Sequence, residues 1–131
     1  MPYRLDWEEN GYYLKMWGTV SSDDMNNALS DIWGNPKSDK MNYCIRDYLE
    51  VTKVGIEMNW EDISTYVSVY EKHATHNCKR ALQQVAFLSG NKDMDIIIEG
   101  YTKAMKEHCP ATNFENFDDL QSARDWCQSP H

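Results

Sequence analysis

A chain of 131 residues, 41% hydrophobic and 26% charged, has the size and composition of one globular domain, not of a disordered or fibrous segment. Thirteen basic against 21 acidic residues leave a net charge of −8, and no lysine or arginine cluster stands out. This excludes the basic patch that a nucleic-acid binder needs to displace counterions, and an anionic membrane surface would repel the chain. No window is apolar enough for a membrane span, so integral membrane association is not expected.

Residues 3–9 alternate, with Tyr3, Leu5 and Trp7 on one side and Arg4, Asp6 and Glu8 on the other, which predicts a half-buried strand. Asn10-Gly11 follows, a strong two-residue hairpin signal, and residues 12–18 read as the return strand. Ser21 with Asp24 three residues on forms a capping-box pattern, and Val20 can staple onto Met25. The helix so started places Met25, Ala28, Leu29, Ile32 and Trp33 on one face and stops at Gly34-Asn35-Pro36. Residues 42–49 read as a third strand. Asn59 is placed to cap a second helix with Trp60, Ile63, Val67, Tyr70 and Ala74 on one face. Residues 81–88 predict a fourth strand. Residues 92–108 predict a third helix with a stripe of Met94, Ile97, Ile98, Tyr101, Ala104 and Met105. A short fifth strand over 112–117 precedes a last helix, which Asp118 and Gln121 would cap. Its apolar side is Leu120, Ala123, Trp126 and Cys127.

The pattern is α/β: an opening hairpin, then alternating helices and strands in a single domain over residues 1–131. It predicts a mixed five-stranded sheet with four helices and right-handed crossovers. The order, together with Gly18 before a capped helix, Asp47 near the end of the third strand, residues 80–87 as the fourth, and the ending Phe117-Asp118-Asp119-Leu120-x-x-Ala123-x-x-Trp126, resembles the SpoIIAA-like family. That family is related to the STAS domains of anti-sigma-factor antagonists and sulfate transporters. The resemblance implies a non-enzymatic domain acting through protein or small-ligand contacts. Anti-sigma antagonists carry an Asp-Ser-Ser/Thr-Gly turn after the third strand, with a serine phosphorylated at a helix start. Here residues 52–61 read Thr-Lys-Val-Gly-Ile-Glu-Met-Asn-Trp-Glu, with no such motif and no serine, so that switch is not expected.

No chemical constellation competes with this reading. His73-x-x-His76-x-Cys78 has zinc-ligand residue types but no second cluster, and histidines suit a helix C-terminus on electrostatic grounds alone. His108-Cys109 are adjacent on a helix and point apart, which disfavours mutual activation. Asp23-Asp24 and Asp118-Asp119 sit at helix starts, where acids cap. No glycine-rich phosphate loop or nucleophile elbow is present. We therefore expect no catalytic, cofactor or metal residues. Cys44, Cys78, Cys109 and Cys127 are dispersed, and the first residues lack an apolar export segment, so reduced thiols in a cytoplasmic protein are expected. Most Met and Trp residues fit core positions. The exception is the stretch 54–58, read as a loop that is apolar where loops are usually polar. Val54, Ile56, Met58 and Trp60 are the candidate partner or ligand surface. The expected function is a regulatory or protein-interaction domain, with a protein partner or homodimer. The alternative is a carrier of a small apolar ligand or lipid.

Overall fold

Alternation at the start of the chain produces the expected hairpin. Strand β1 (Tyr3–Trp7) pairs antiparallel with β2 (Gly11–Val20), from Tyr3 opposite Met16 to Trp7 opposite Tyr12. The turn, however, centres on Glu9 and Asn10, with the Glu8 N–H donating to the Gly11 carbonyl at 2.9 Å. Gly11 belongs to β2, opposite Tyr43 of the next strand. A Cβ there would lie 2.4 Å from the Tyr43 carbonyl oxygen and 2.8 Å from two of its ring carbons. Glycine is thus required for close strand approach, not for a positive-φ turn.

The computed structural model describes residues 3–55 and 84–128. Helix α1 (Ser22–Trp33) begins on the predicted capping box, with Ser21 and Asp24 bonding each other's backbone N–H. Its Met25, Ala28, Leu29 and Ile32 are buried. A short 3-10 segment (Pro36–Lys40) leads to β3 (Tyr43–Val54), which runs parallel to β2 and extends five residues beyond the expected end. Strand β4 (Gln84–Ser89), helix α2 (Lys92–His108), strand β5 (Asn113–Phe117) and helix α3 (Leu120–Gln128) complete the described chain. The sheet order is β1-β2-β3-β4-β5, with every pair parallel except the hairpin. The mixed five-stranded sheet is as expected. Three α-helices lie among the described residues instead of four, because the helix expected from Asn59 falls outside them.

The two-residue period of the strands sorts the core into two layers. On one face Tyr12, Leu14, Met16, Cys44, Tyr48, Val85 and Phe87 pack under α1 and α2. On the other, Tyr13, Tyr43, Ile45, Ala86 and Leu88 pack under α3 through Ala123 and Cys127. Met94, Ile97, Ile98, Tyr101 and Met105 of α2 are buried on the predicted stripe. At about 1.5–3 kcal/mol for each large side chain, that stripe is a main source of the gross apolar stabilisation.

Register breaks twice along β2 and β3, between Lys15 and Trp17 and between Gly18 and Thr19. Gly18 has φ +68°, and a Cβ there would meet nothing within 4 Å. Gly18→Ala should therefore cost only the backbone penalty, about 1–2 kcal/mol, read as a lower urea midpoint with an unchanged slope.

One cysteine expectation is corrected. Cys109 is disulfide-bonded, while Cys44 and Cys127 are buried thiols. A persistent disulfide belongs to oxidising surroundings, so four reduced thiols no longer support a cytoplasmic location. No helix among the described residues is long and apolar enough to cross a membrane.

Candidate functional site

Parallel strands end on the same side of a sheet, and in open α/β sheets that carboxyl side is where ligands and partners meet the fold. Here Val20, Val54, Ser89 and Phe117 are the last residues of β2, β3, β4 and β5. Val54, read from sequence as part of a loop, is instead the final residue of β3. It pairs with Val20 and packs half-buried against the main core, and the next N–H, of Gly55, donates to the Val20 carbonyl at 2.7 Å. Its apolar character is thus explained by strand pairing. Ile56, Met58 and Trp60 lie outside the described residues, as do His73, His76 and Cys78.

Short of that rim, inside β2 and β3, stand two large apolar side chains that sequence reasoning did not single out. Trp17 is 38% exposed and Leu49 41% exposed, on neighbouring strands where the first register break falls. Beside them Lys15 forms an ion pair with Glu50. The extra residue lies on β3, where Asp47 to Glu50 oppose Lys15 to Trp17, so the bulge bends β3 beside Leu49.

A groove of about 660 Å³ opens farther along the rim. Helix α2 lines one wall with Asp95, Glu99 and Lys103, spaced at i, i+4 and i+8. Ser89, Asn116 and Asp118 at the ends of β4 and β5 form the opposite side, and Ile98 and Phe117 supply apolar surface. Asp118 is available to this wall because it is not the cap of α3, contrary to the sequence reading. That role belongs to Asp119, whose carboxylate accepts the Ser122 N–H at 2.8 Å and the Ser122 hydroxyl at 2.9 Å. Gln121 donates to Asp125 instead of closing a capping box. An open groove lined by several charged side chains lends no support to the apolar-ligand alternative.

Under α3, toward the amino ends of β2 and β3, lies a network that reads as structural. The Tyr13 hydroxyl donates to Asp47 at 2.5 Å, and the Tyr43 hydroxyl donates to Glu8 at 2.5 Å. Arg124 pairs with both Glu8 oxygens at 2.9 and 2.8 Å, with its guanidinium over the Tyr13 ring. Burial alone would push the Glu8 carboxyl up, but hydrogen bonds from Arg124 and Tyr43 hold it below its usual value. Burial and the bond to Glu8 push the Tyr43 phenol up to about 12. Burial and Asp31 push Tyr3 to about 12, and burial with Asp47 raises Tyr13 further. Phenols held protonated are poor nucleophiles and bases. Their raised values contribute stability that is fully present below pH 10 and lost as pH rises through about 12. Ultraviolet titration should therefore show these three tyrosines un-ionised in native protein at pH 11, and all eight tyrosines ionising near pH 10 in urea.

Burial likewise pushes the Cys127 thiol up to about 12, with Cys44 adding to the shift. The two side chains belong to opposite layers of the core, so neither thiol is placed to activate or bridge the other. No group of three metal-ligating side chains occurs among the described residues.

With this geometry in place, comparison with solved structures decides the fold. An uncharacterised DUF3478-family protein with a SpoIIAA-like fold from Shewanella loihica PV-4 aligns with TM-score 0.54 and 15% identity over 95% of this chain and 91% of that one. The anti-sigma factor antagonist SpoIIAA in its unphosphorylated form aligns with TM-score 0.56 and 7% identity over 93% of each chain. The phosphorylated form of the Bacillus cell fate determinant SpoIIAA aligns with TM-score 0.58 and 8% identity, over 96% of this chain and 99% of that one. The fold is SpoIIAA-like. The resemblance read from element order is therefore correct at the level of architecture. No family model and no curated protein matches the sequence, and identities this low establish the fold alone. Of these three structures, one is uncharacterised and two are forms of SpoIIAA.

Proposed function

We propose that this SpoIIAA-like domain is a regulatory or protein-interaction module and not an enzyme, working through an exposed patch of β2 and β3. The observation that carries the reading is the exposed pair Trp17 and Leu49, beside a strand bulge. Exposed tryptophan supplies large contact area at small entropic cost, and such residues dominate the energetics of protein interfaces. Ile56, Met58 and Trp60, the partner residues proposed from the sequence, belong to the same reading. A second protein or a second copy of the chain is the occupant. The absence of the Asp-Ser-Ser/Thr-Gly turn separates the module from a serine-phosphorylation switch.

The test is affinity purification of the full chain from its own host, followed by native mass spectrometry. Leu49→Asp, Trp17→Ser and Met58→Asp should each remove the associated protein or dissociate the dimer while the circular dichroism spectrum is unchanged. Partners retained by all three folded variants would overturn the proposal. A copurifying apolar small molecule in place of a protein would do the same.

A further inference from the structure

The groove between α2 and the ends of β4 and β5 is distinct from the Trp17–Leu49 pair, and its chemistry specifies a different kind of contact. Asp95, Glu99 and Asp118 set three carboxylates around it against the single ammonium of Lys103. Several carboxylates elsewhere in this acidic chain are engaged. Asp6 pairs with Arg4, Glu8 with Arg124 and Glu50 with Lys15, while Asp24 and Asp119 accept hydrogen bonds at helix starts. Among the described residues, no hydrogen bond or ion pair engages the side chains of Asp95, Glu99, Asp118 or Lys103. Lys103 stands four residues after Glu99, the spacing at which a helical ion pair forms, yet the two do not pair. The groove thus gathers unneutralised charge in a concave space of about 660 Å³, within the range of ligand-binding clefts. Ile98 and Phe117 provide apolar surface for an aliphatic stem.

We propose that this groove receives a lysine- or arginine-bearing peptide segment of a partner protein. The cationic head groups meet Asp95, Glu99 and Asp118, and the methylene stems lie along Ile98 and Phe117. Long basic side chains have this dual character, an apolar stem and a charged end, and the carboxylate excess excludes an acidic segment from the same place. The proposal rests on the interaction-module reading and names the chemistry of one contact within it.

The experiment is amide nuclear magnetic resonance on the full chain, titrated with a capped peptide of alternating arginine and glycine. Shifts should saturate and concentrate on residues 89, 95–103 and 116–118. The double variant Glu99→Gln/Asp118→Asn should bind about tenfold more weakly, whereas Glu9→Gln/Glu107→Gln, which removes two exposed acids elsewhere, should bind as the parent does. Shifts spread evenly over all acidic surface, or equal weakening by both double variants, would overturn the proposal. So would calcium ions reproducing the shifts when the peptide does not. If the peptide fails while Leu49→Asp still strips the partner, the groove assignment falls and the interaction module stands. If both fail, the functional reading falls with it.

Discussion

Gly11→Ala should destabilise the protein by about 3 kcal/mol, the cost of forcing a methyl group into a space that is already filled. The added Cβ would sit 2.4 Å from the Tyr43 carbonyl oxygen, a main-chain atom that cannot swing aside as a side chain would. Relief requires β2 and β3 to separate at the start of their ladder, where Gly11 faces Tyr43. That movement would also disturb Tyr43, whose hydroxyl holds Glu8. Urea denaturation is the check. The Gly11→Ala loss should exceed that of Gly18→Ala, because Gly18 has a positive φ but open space around it. A Gly11→Ala protein within about 0.5 kcal/mol of the parent would mean that the close strand approach is not present in solution.

A comparable loss is expected from a buried cation of β3. Arg46 is 2% exposed. Its Nε and Nη2 donate to the Tyr12 hydroxyl at 3.0 and 2.9 Å, and its guanidinium lies 5.0 Å from the centre of the Tyr101 ring. Arg46→Ala removes charge-assisted hydrogen bonds, a cation–π contact and the packing of the stem together, and should cost about 3 kcal/mol. Arg46→Lys should recover little, since an ammonium neither forks nor stacks as a guanidinium does. Tyr12→Phe isolates one contribution. It deprives two buried donors of their shared acceptor and should cost about 1.5–3 kcal/mol. A Tyr12→Phe loss below about 0.5 kcal/mol would show that the guanidinium draws its stability from its other contacts. The additivity of Arg46→Ala with Tyr12→Phe, measured as a double-mutant cycle, would then quantify their coupling.

Much of the architecture is legible in the sequence because period and capping agree with tertiary packing. The stripe from Met94 to Met105 and the Ser21–Asp24 box are local patterns, and each forms where it is expected. The departures share a cause: a local motif suggests its commonest role, and tertiary contacts select another. Asn10-Gly11 carries the composition of a tight turn, but Gly11 is needed where Tyr43 crosses it, on a strand distant in sequence. Asp118 and Asp119 are equivalent as letters, and only the start of α3 selects Asp119 as the cap. Residues 50–54 mix charged and apolar types without clean alternation, because the register breaks interrupt the period. The pattern therefore suggests too early an end for β3 and gives Val54 the look of a loop residue. The groove is invisible in the sequence for a different reason. Asp95, Glu99 and Lys103 look like an ordinary solvated helix face, and only the arrival of Asn116 and Asp118 beside them makes that face concave.

The Glu8–Arg124 clasp joins residues 116 positions apart. A chain emerging from the ribosome at roughly 5–20 residues per second completes its opening hairpin long before Arg124 exists. During that interval the strip of Tyr13, Tyr43, Ile45, Ala86 and Leu88 that α3 will cover stands open on the nascent polypeptide. Synthesis thus has a vulnerable window that closes only with the final helix, and a premature stop at residue 118 would leave the window open permanently.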